Sequence, residues 1–303
     1  MSHTTTRTSP RTKRPSSSSR FDSALGWSPG FGTNMVLRIV LCILVFCIFA
    51  LPFAAIISGA FDRNSSPTEI TLLPKTFTLA NFEAASQQGL WGYLLNSLVI
   101  AGGGLLLQMT VSVFAAYSLS RKKFRGQAIL LLLVLLTMML PEEVIAIPLS
   151  LVLGDLPLLG ISLRGSVLAV ILPVGIWGFS IFIMSEFMKE IPAEIEEAAR
   201  LDGVGEFRML FTIILPLCKP ALGVIGIFGF MMVWDQYLLP LIAANDPSDY
   251  TLTVALSVLR NDTTVGPGVL LAGAVMAMIP SLLVYLFLQR SMIRGITAGA
   301  TKG

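Results

Sequence analysis

An all-α integral membrane protein with six transmembrane helices is the fold class this sequence predicts, on three observations. Charged residues make up 13% of the 303 and hydrophobic ones 54%, whereas a soluble domain carries about 25% charged. Six apolar segments occur, at about 36–60, 94–119, 127–148, 166–187, 217–243 and 267–289. Each is close to the roughly 20 residues that a span needs. The basic residues, finally, are shared unequally between alternate loops.

The first 34 residues precede the spans and read as a disordered basic cytoplasmic tail. They are rich in Ser and Thr with Arg7, Arg11, Lys13, Arg14 and Arg20 scattered among them, a composition that cannot bury a core. Such a tail can touch anionic membrane lipid or simply be solvated. The apolar run behind it is too long for a signal peptide and lacks a small-residue cleavage site. The third span is the least regular, interrupted by Pro141, Glu142 and Glu143. A broken helix is tolerated at membrane depth only where protein buries it or it lines a cavity. With both termini inside, 17 of the 21 Lys and Arg fall on the cytoplasmic side and 4, Arg63, Lys75, Arg164 and Arg260, on the outer side. The positive-inside rule therefore puts both termini and the loop 188–216 in the cytoplasm.

That loop is the one sizeable polar interruption, and it reads as two short helices. Pro192 suits a first helical turn, and Glu194, Glu196 and Glu197 set negative charge at the positive end of the helix dipole. Ile195, Ala198, Ala199 and Asp202 share one face by their spacing. Its small middle would let another protein approach the backbone closely. Gly203 ends the helix as a C′ residue. A second amphipathic turn runs through Phe207, Leu210, Phe211 and Ile214, and Pro216 marks the bend into the next span. The loop is a docking element on this reading, or else a solvated connection between two spans.

Glu197-Ala198-Ala199, three residues, Gly203, nine residues, and Ile213-x-Leu215-Pro216 form a gapless pattern. It resembles the coupling-loop signature of binding-protein-dependent ABC importer permeases. Val204 stands where many members have Ala. The outer run Pro74-x-x-x-Thr78-x-x-Asn81-Phe82 and the ending Gly299-Ala300-Thr301-Lys302-Gly303 resemble those of the carbohydrate subfamily, the maltose and glycerol-phosphate type. The ending is like that of the second permease of a pair, with Thr301 in place of the usual Val. The resemblance implies a type I ABC importer transmembrane domain over residues 35–303, in the cytoplasmic membrane of a bacterial-type cell. It also implies a partner permease forming a heterodimer, two ATP-binding subunits, an extracytoplasmic solute-binding protein and a sugar substrate. ATP and Mg would be bound by the partner subunits, with no cofactor held by this chain. The coupling residues it implies are Glu197, Ala198, Ala199, Asp202, Gly203, Phe207, Leu215 and Pro216.

Ionisable groups inside spans are functional candidates because placing them there is costly. Glu142, Trp234, Asp235 and Tyr237 are the substrate-pathway candidates, since aromatic rings beside hydrogen-bonding groups suit a sugar. Alternatively Asp235 bonds to a neighbouring helix while Trp234 and Tyr237 anchor at the interface. No catalytic residue is expected: no Gly-Lys pair occurs, so there is no Walker A loop. One histidine, His3, leaves little for a metal site, and none is expected. Cys42, Cys47 and Cys218 suggest no disulfide framework. Nucleic acid is not an expected partner. Two other readings stay open: an ABC permease for a non-sugar solute, and an ion-coupled secondary transporter using Asp235 or Glu142.

Overall fold

The structure, a computed structural model, describes residues 33–66, 71–157 and 159–300, with the backbone alone for 33, 34 and 290–300. The expected tail 1–34 and the ending Thr301–Gly303 lie outside the described residues, apart from Thr33 and Asn34, which begin the first helix. By its internal contacts the chain divides into two units, Met1–Phe53 and Ala54–Gly303. The described part of the first belongs to helix α1 (Thr33–Ala60), and everything below concerns the second. All named elements among the described residues are helical.

In order these are α2 (Ala80–Gln87), α3 (Leu90–Arg121), α4 (Gln127–Thr137), α5 (Glu142–Gly154), α6 (Leu168–Gly175) and α7 (Gly178–Lys189). Then come α8 (Ala193–Leu201), α9 (Glu206–Leu217, with a π-helical turn over Leu210–Ile214) and α10 (Lys219–Trp234). Last are α11 (Leu238–Ala243), α12 (Leu252–Leu259) and α13 (Pro267–Ala300). Four runs among the described residues are long and apolar enough to cross a membrane, in α1, in α3, in α6 and α7 taken together, and in α13, or up to six if each of two bent pairs is one span. The central member is α3, which packs against α6, α7 and α10, while α10 packs in turn against α13.

Three of the expected spans are broken, the first of them at a proline. The third divides into α4 and α5, whose axes meet at 102°. Pro141 lacks the N–H a continuous helix would need and pushes the residue before it out of the α region; it stands extended before Glu142 at ψ 136°. The fourth divides into α6 and α7 at Ile176 and Trp177. The break leaves the Val174 carbonyl without a helical donor, and the fully buried Gln108 of α3 supplies one at 2.9 Å. The fifth stops at Trp234 and resumes at Leu238. Pro240 is tolerated there because it falls in the first turn of α11.

On the segment after α1, Asp62 is buried and its carboxylate accepts the backbone N–H groups of Asn64, Lys75 and Thr76 at 3.1, 2.9 and 3.3 Å. Asn81 donates to the carbonyls of Ala60 and Asp62. The Thr-x-x-Asn-Phe run therefore ties this segment down, with Phe61 stacked on Phe77 and packed on Phe82.

Candidate functional site

The loop 188–216 folds into α8 and the start of α9, as the residue pattern predicts. Pro192 sits one place earlier than expected, as the N-cap of α8. At the other end Asp202 is the C-cap and Gly203 has φ +75°. The Gly203 N–H donates to the Arg200 carbonyl and the Val204 N–H to the Ala199 carbonyl, both at 3.0 Å. This is a Schellman closure, and it is where glycine is required: a side chain at that φ is strained. Val204 packs back on the core that contains Ala199, the apolar contact that accompanies such closures.

The face on which Ala199 lies corrects the sequence reading. Ala199 is not on an exposed docking face; it is buried among Met188, Ile191, Met209 and Leu210. Spacing placed Ala198 and Ala199 together, but the Glu196–Ala199 edge turns inward. Glu197, Ala198, Asp202 and Gly203 remain exposed, and the large apolar side chains beside them are Leu201, 90% exposed, and Phe207, 75% exposed. Leu215 is half-buried against the core and Pro216 is exposed. Sequence reasoning passed over Leu201; a leucine two residues before a helix-ending glycine, outside the apolar stripe, is the signal that could have found it.

What holds the loop also escaped the sequence reading. Arg121, the last residue of α3, pairs with Glu196 at 3.0 Å, both side chains being under a tenth exposed. The same guanidinium donates to the carbonyls of Met188 and Ile191, the latter at 2.8 Å. Arg200 reaches Glu196 from the next turn at 3.5 Å. Glu206, opening α9, accepts from the Tyr117 hydroxyl and pairs with Lys122 at 2.6 Å. A buried carboxylate is retained when cations and donors surround it, and here that arrangement fastens α8 and α9 to the end of α3.

A cavity of about 280 Å³ lies where the three helix breaks converge. Met138 and Glu142 border it from the α4–α5 break, Ile176 and Trp177 from the α6–α7 break, and Gln236 from the α10–α11 break. Gly178 is needed here, because a Cβ would stand 2.6 Å from the Val134 carbonyl. One carboxyl oxygen of Glu142 and the side-chain oxygen of Gln236 are buried without a hydrogen-bond partner among the described residues. Of the four pathway candidates, Glu142 alone lines this cavity. Trp234 is neither open to a pathway nor an interfacial anchor. It is 5% exposed and stacked on Phe230, with ring centroids 5.3 Å apart, inside a core with Ile100 and Val170. Asp235 caps α10 and is exposed, as is Tyr237. Gln236, between them, is the residue the sequence reading missed.

Residues 108–296 match the family model described as binding-protein-dependent transport system inner membrane component. This chain belongs to that family. It is a multi-pass membrane permease of the ABC transporter class, an inner membrane component by the family's description. Among curated relatives, an arabinooligosaccharides transport system permease protein of Halalkalibacterium halodurans is 33% identical, over 77% of this chain and 84% of that one. A maltodextrin transport system permease protein of Bacillus subtilis is 30% identical, over 89% of this chain and 97% of that one. A solved bacterial ABC transporter chain, involved in the import of the acidic polysaccharide alginate, superposes with a TM-score of 0.73 over 92% of this chain and 99% of that one. At 24% identity it is similar in fold, which is that of an ABC importer transmembrane domain.

Proposed function

We propose that this permease is half of the translocation path of an ATP-driven, binding-protein-dependent carbohydrate importer, the second permease of a heterodimeric pair. Relatives named for arabinooligosaccharides and maltodextrin transport support the sugar class, as do the outer Asn81-Phe82 run and the Gly-Ala-Thr-Lys-Gly ending. Two ATP-binding subunits, which bind the ATP and Mg, dock beneath residues 188–216, and an extracytoplasmic solute-binding protein delivers the sugar. This chain itself performs no ATP chemistry.

The observation that carries the coupling role is the fastened loop with its exposed apolar pair. Leu201 and Phe207 stand out on either side of the Gly203 turn. Glu197, Ala198 and Asp202 lie exposed on the same loop, while Ala199, Leu215 and Pro216 shape the turn and the bend. A displacement of the docked ATPase reaches the loop as a rigid unit, because Arg121 binds α8 to the C-terminal end of α7. Helix α7 is 12 residues long, about 18 Å at 1.5 Å per residue, and its other end is Trp177–Gly178 at the cavity wall. One helix thus joins the docking loop to the cavity, and its movement would switch access to the cavity by rigid-body shift.

Purification of the tagged chain in mild detergent from native membranes tests this reading, with co-purifying chains identified by mass spectrometry. A Walker-type ATPase and a second permease are expected, together with ATP-dependent uptake of a carbohydrate. Recovery of the chain alone, with uptake abolished by an ionophore at intact ATP, would contradict it.

A further inference from the structure

We infer that the cavity where the three helix breaks meet is a saccharide subsite within this subunit, and that Glu142 makes it selective for neutral, hydroxyl-rich saccharides over acidic ones. This rests on the permease reading above and adds to it the charge class of the cargo. A buried acceptor without a donor costs free energy, and here two residues that line one cavity, Glu142 and Gln236, each carry such an oxygen with no partner among the described residues. Non-helical backbone surrounds it on three sides, an arrangement tolerated at membrane depth where a cavity is lined. A turn of either side chain brings its oxygen to a ligand rich in hydroxyl donors, and the Trp177 ring at the wall suits the C–H face of a sugar.

The sign of the selectivity follows from the groups present. The Gln236 amide can turn to offer either its oxygen or its NH₂, so it accommodates both kinds of partner. A carboxylate at Glu142 accepts only. The Thr137 hydroxyl, also at the wall, already donates to the Val134 carbonyl at 2.6 Å. Among the described residues no Lys, Arg or His lines the cavity, so none of them compensates a ligand carboxylate. On the adjoining side of α5, Glu143 borders a second cavity of about 310 Å³ that shares Ala146, Leu238 and Ile242 with the first. That repeats the negative sign. Arg164 lies beyond them, its guanidinium held by the carbonyl and hydroxyl of Ser150 at 2.9 and 3.0 Å. At about 280 Å³ the cavity is just under the usual range of about 300–1,000 Å³ for ligand sites, the scale of one sugar residue of a chain.

Protection from alkylation tests the assignment on the complete transporter in nanodiscs, without the binding protein, whose own selectivity would otherwise intervene. Ile145→Cys, or Ile242→Cys should the first fail to assemble, places a thiol in the cavity wall. Cys42 and Cys47 are exposed and are replaced by Ala. Neutral maltotriose and raffinose, at tens of millimolar, are expected to slow maleimide labelling. Trigalacturonate should protect about tenfold less well, the least that one poorly screened like-charge contact costs. Adding Glu142→Gln should bring the acidic trisaccharide to within about twofold of the neutral ones. Equal protection by both classes, a difference that survives Glu142→Gln, or no protection by any would overturn the assignment. ATP-driven uptake by the same particles in liposomes separates the two levels. Carbohydrate uptake with an unprotected thiol removes the subsite alone, whereas uptake of a non-sugar solute by an intact complex removes the carbohydrate reading and the subsite with it.

Discussion

Two glutamates, Glu196 in the cytoplasmic loop and Glu142 at the helix breaks, meet opposite environments. Glu196 is 6% exposed and has Arg121 and Arg200 beside it. Glu142 has a buried oxygen with no hydrogen-bond partner among the described residues. The paired carboxylate fastens backbone: its Arg121 also holds the carbonyls that end α7. The unpaired one belongs to a residue that lines a cavity. On the proposed reading, satisfaction of a buried carboxylate separates the part of the molecule that would transmit movement from the part that would receive a ligand.

The largest expected effect breaks the comparison at its paired end. Arg121→Met leaves Glu196 buried beside Arg200 alone, and removing one partner of a buried pair costs about 3–5 kcal/mol. Glu142→Leu removes an unsatisfied group and should leave stability unchanged or raised. Thermal unfolding of the purified complex compares them, and equal destabilisation by both would dissolve the distinction. Next in size, Leu201→Ala combined with Phe207→Ala should weaken retention of the ATP-binding subunits by about 2 kcal/mol, roughly 30-fold. Titration of those subunits onto permease particles reads this, and transporter stability should not change. Smaller again, Gly203→Ala should cost about 1–2 kcal/mol through its left-handed backbone. Gly205→Ala, at φ −71° with open space around it, should cost little; thermal scans of the pair test the Schellman closure. The smallest effect is on the outer side. Backbone N–H groups of Lys75 and Asn64 hold the Asp62 carboxyl below the ordinary carboxylate range. Its contribution is therefore complete above the unfolded value of about 3.9 and is lost as pH falls through the lower folded value. The stability difference between the wild type and Asp62→Asn should be constant near neutral pH and shrink below about pH 4.

The spans, the loop and its glycine turn were legible because each has a local signature: an apolar run, an acidic first turn, a C′ glycine. The direction in which residues face was not. Along α8 the alanines are small on either side, so spacing grouped Ala198 with Ala199 without saying that only Ala199 enters the core. In α10 nearly every residue is apolar, and a helix apolar all round carries no periodic signal for its inward face. That is why the inward face of Trp234 was not legible; Gln236 lies in the break after α10, where no helical period applies. The Arg121–Glu196 pair joins residues 75 positions apart, a separation for which no local pattern exists. The breaks themselves were half legible: Pro141 announced one, whereas the carbonyl freed at the Ile176–Trp177 break is satisfied by Gln108 in another helix.

The coupling loop is tested most directly by disulfide cross-linking in native membranes. Leu201→Cys in the permease would be paired with single cysteines around the surface of the co-purified ATPase that faces the permease. The account predicts an adduct of permease and ATPase whose yield changes when ATP is added, with a surface control such as Ser118→Cys giving none. An intact complex in which Leu201→Cys stays reactive to a bulky maleimide and forms no adduct at any of those positions would contradict it.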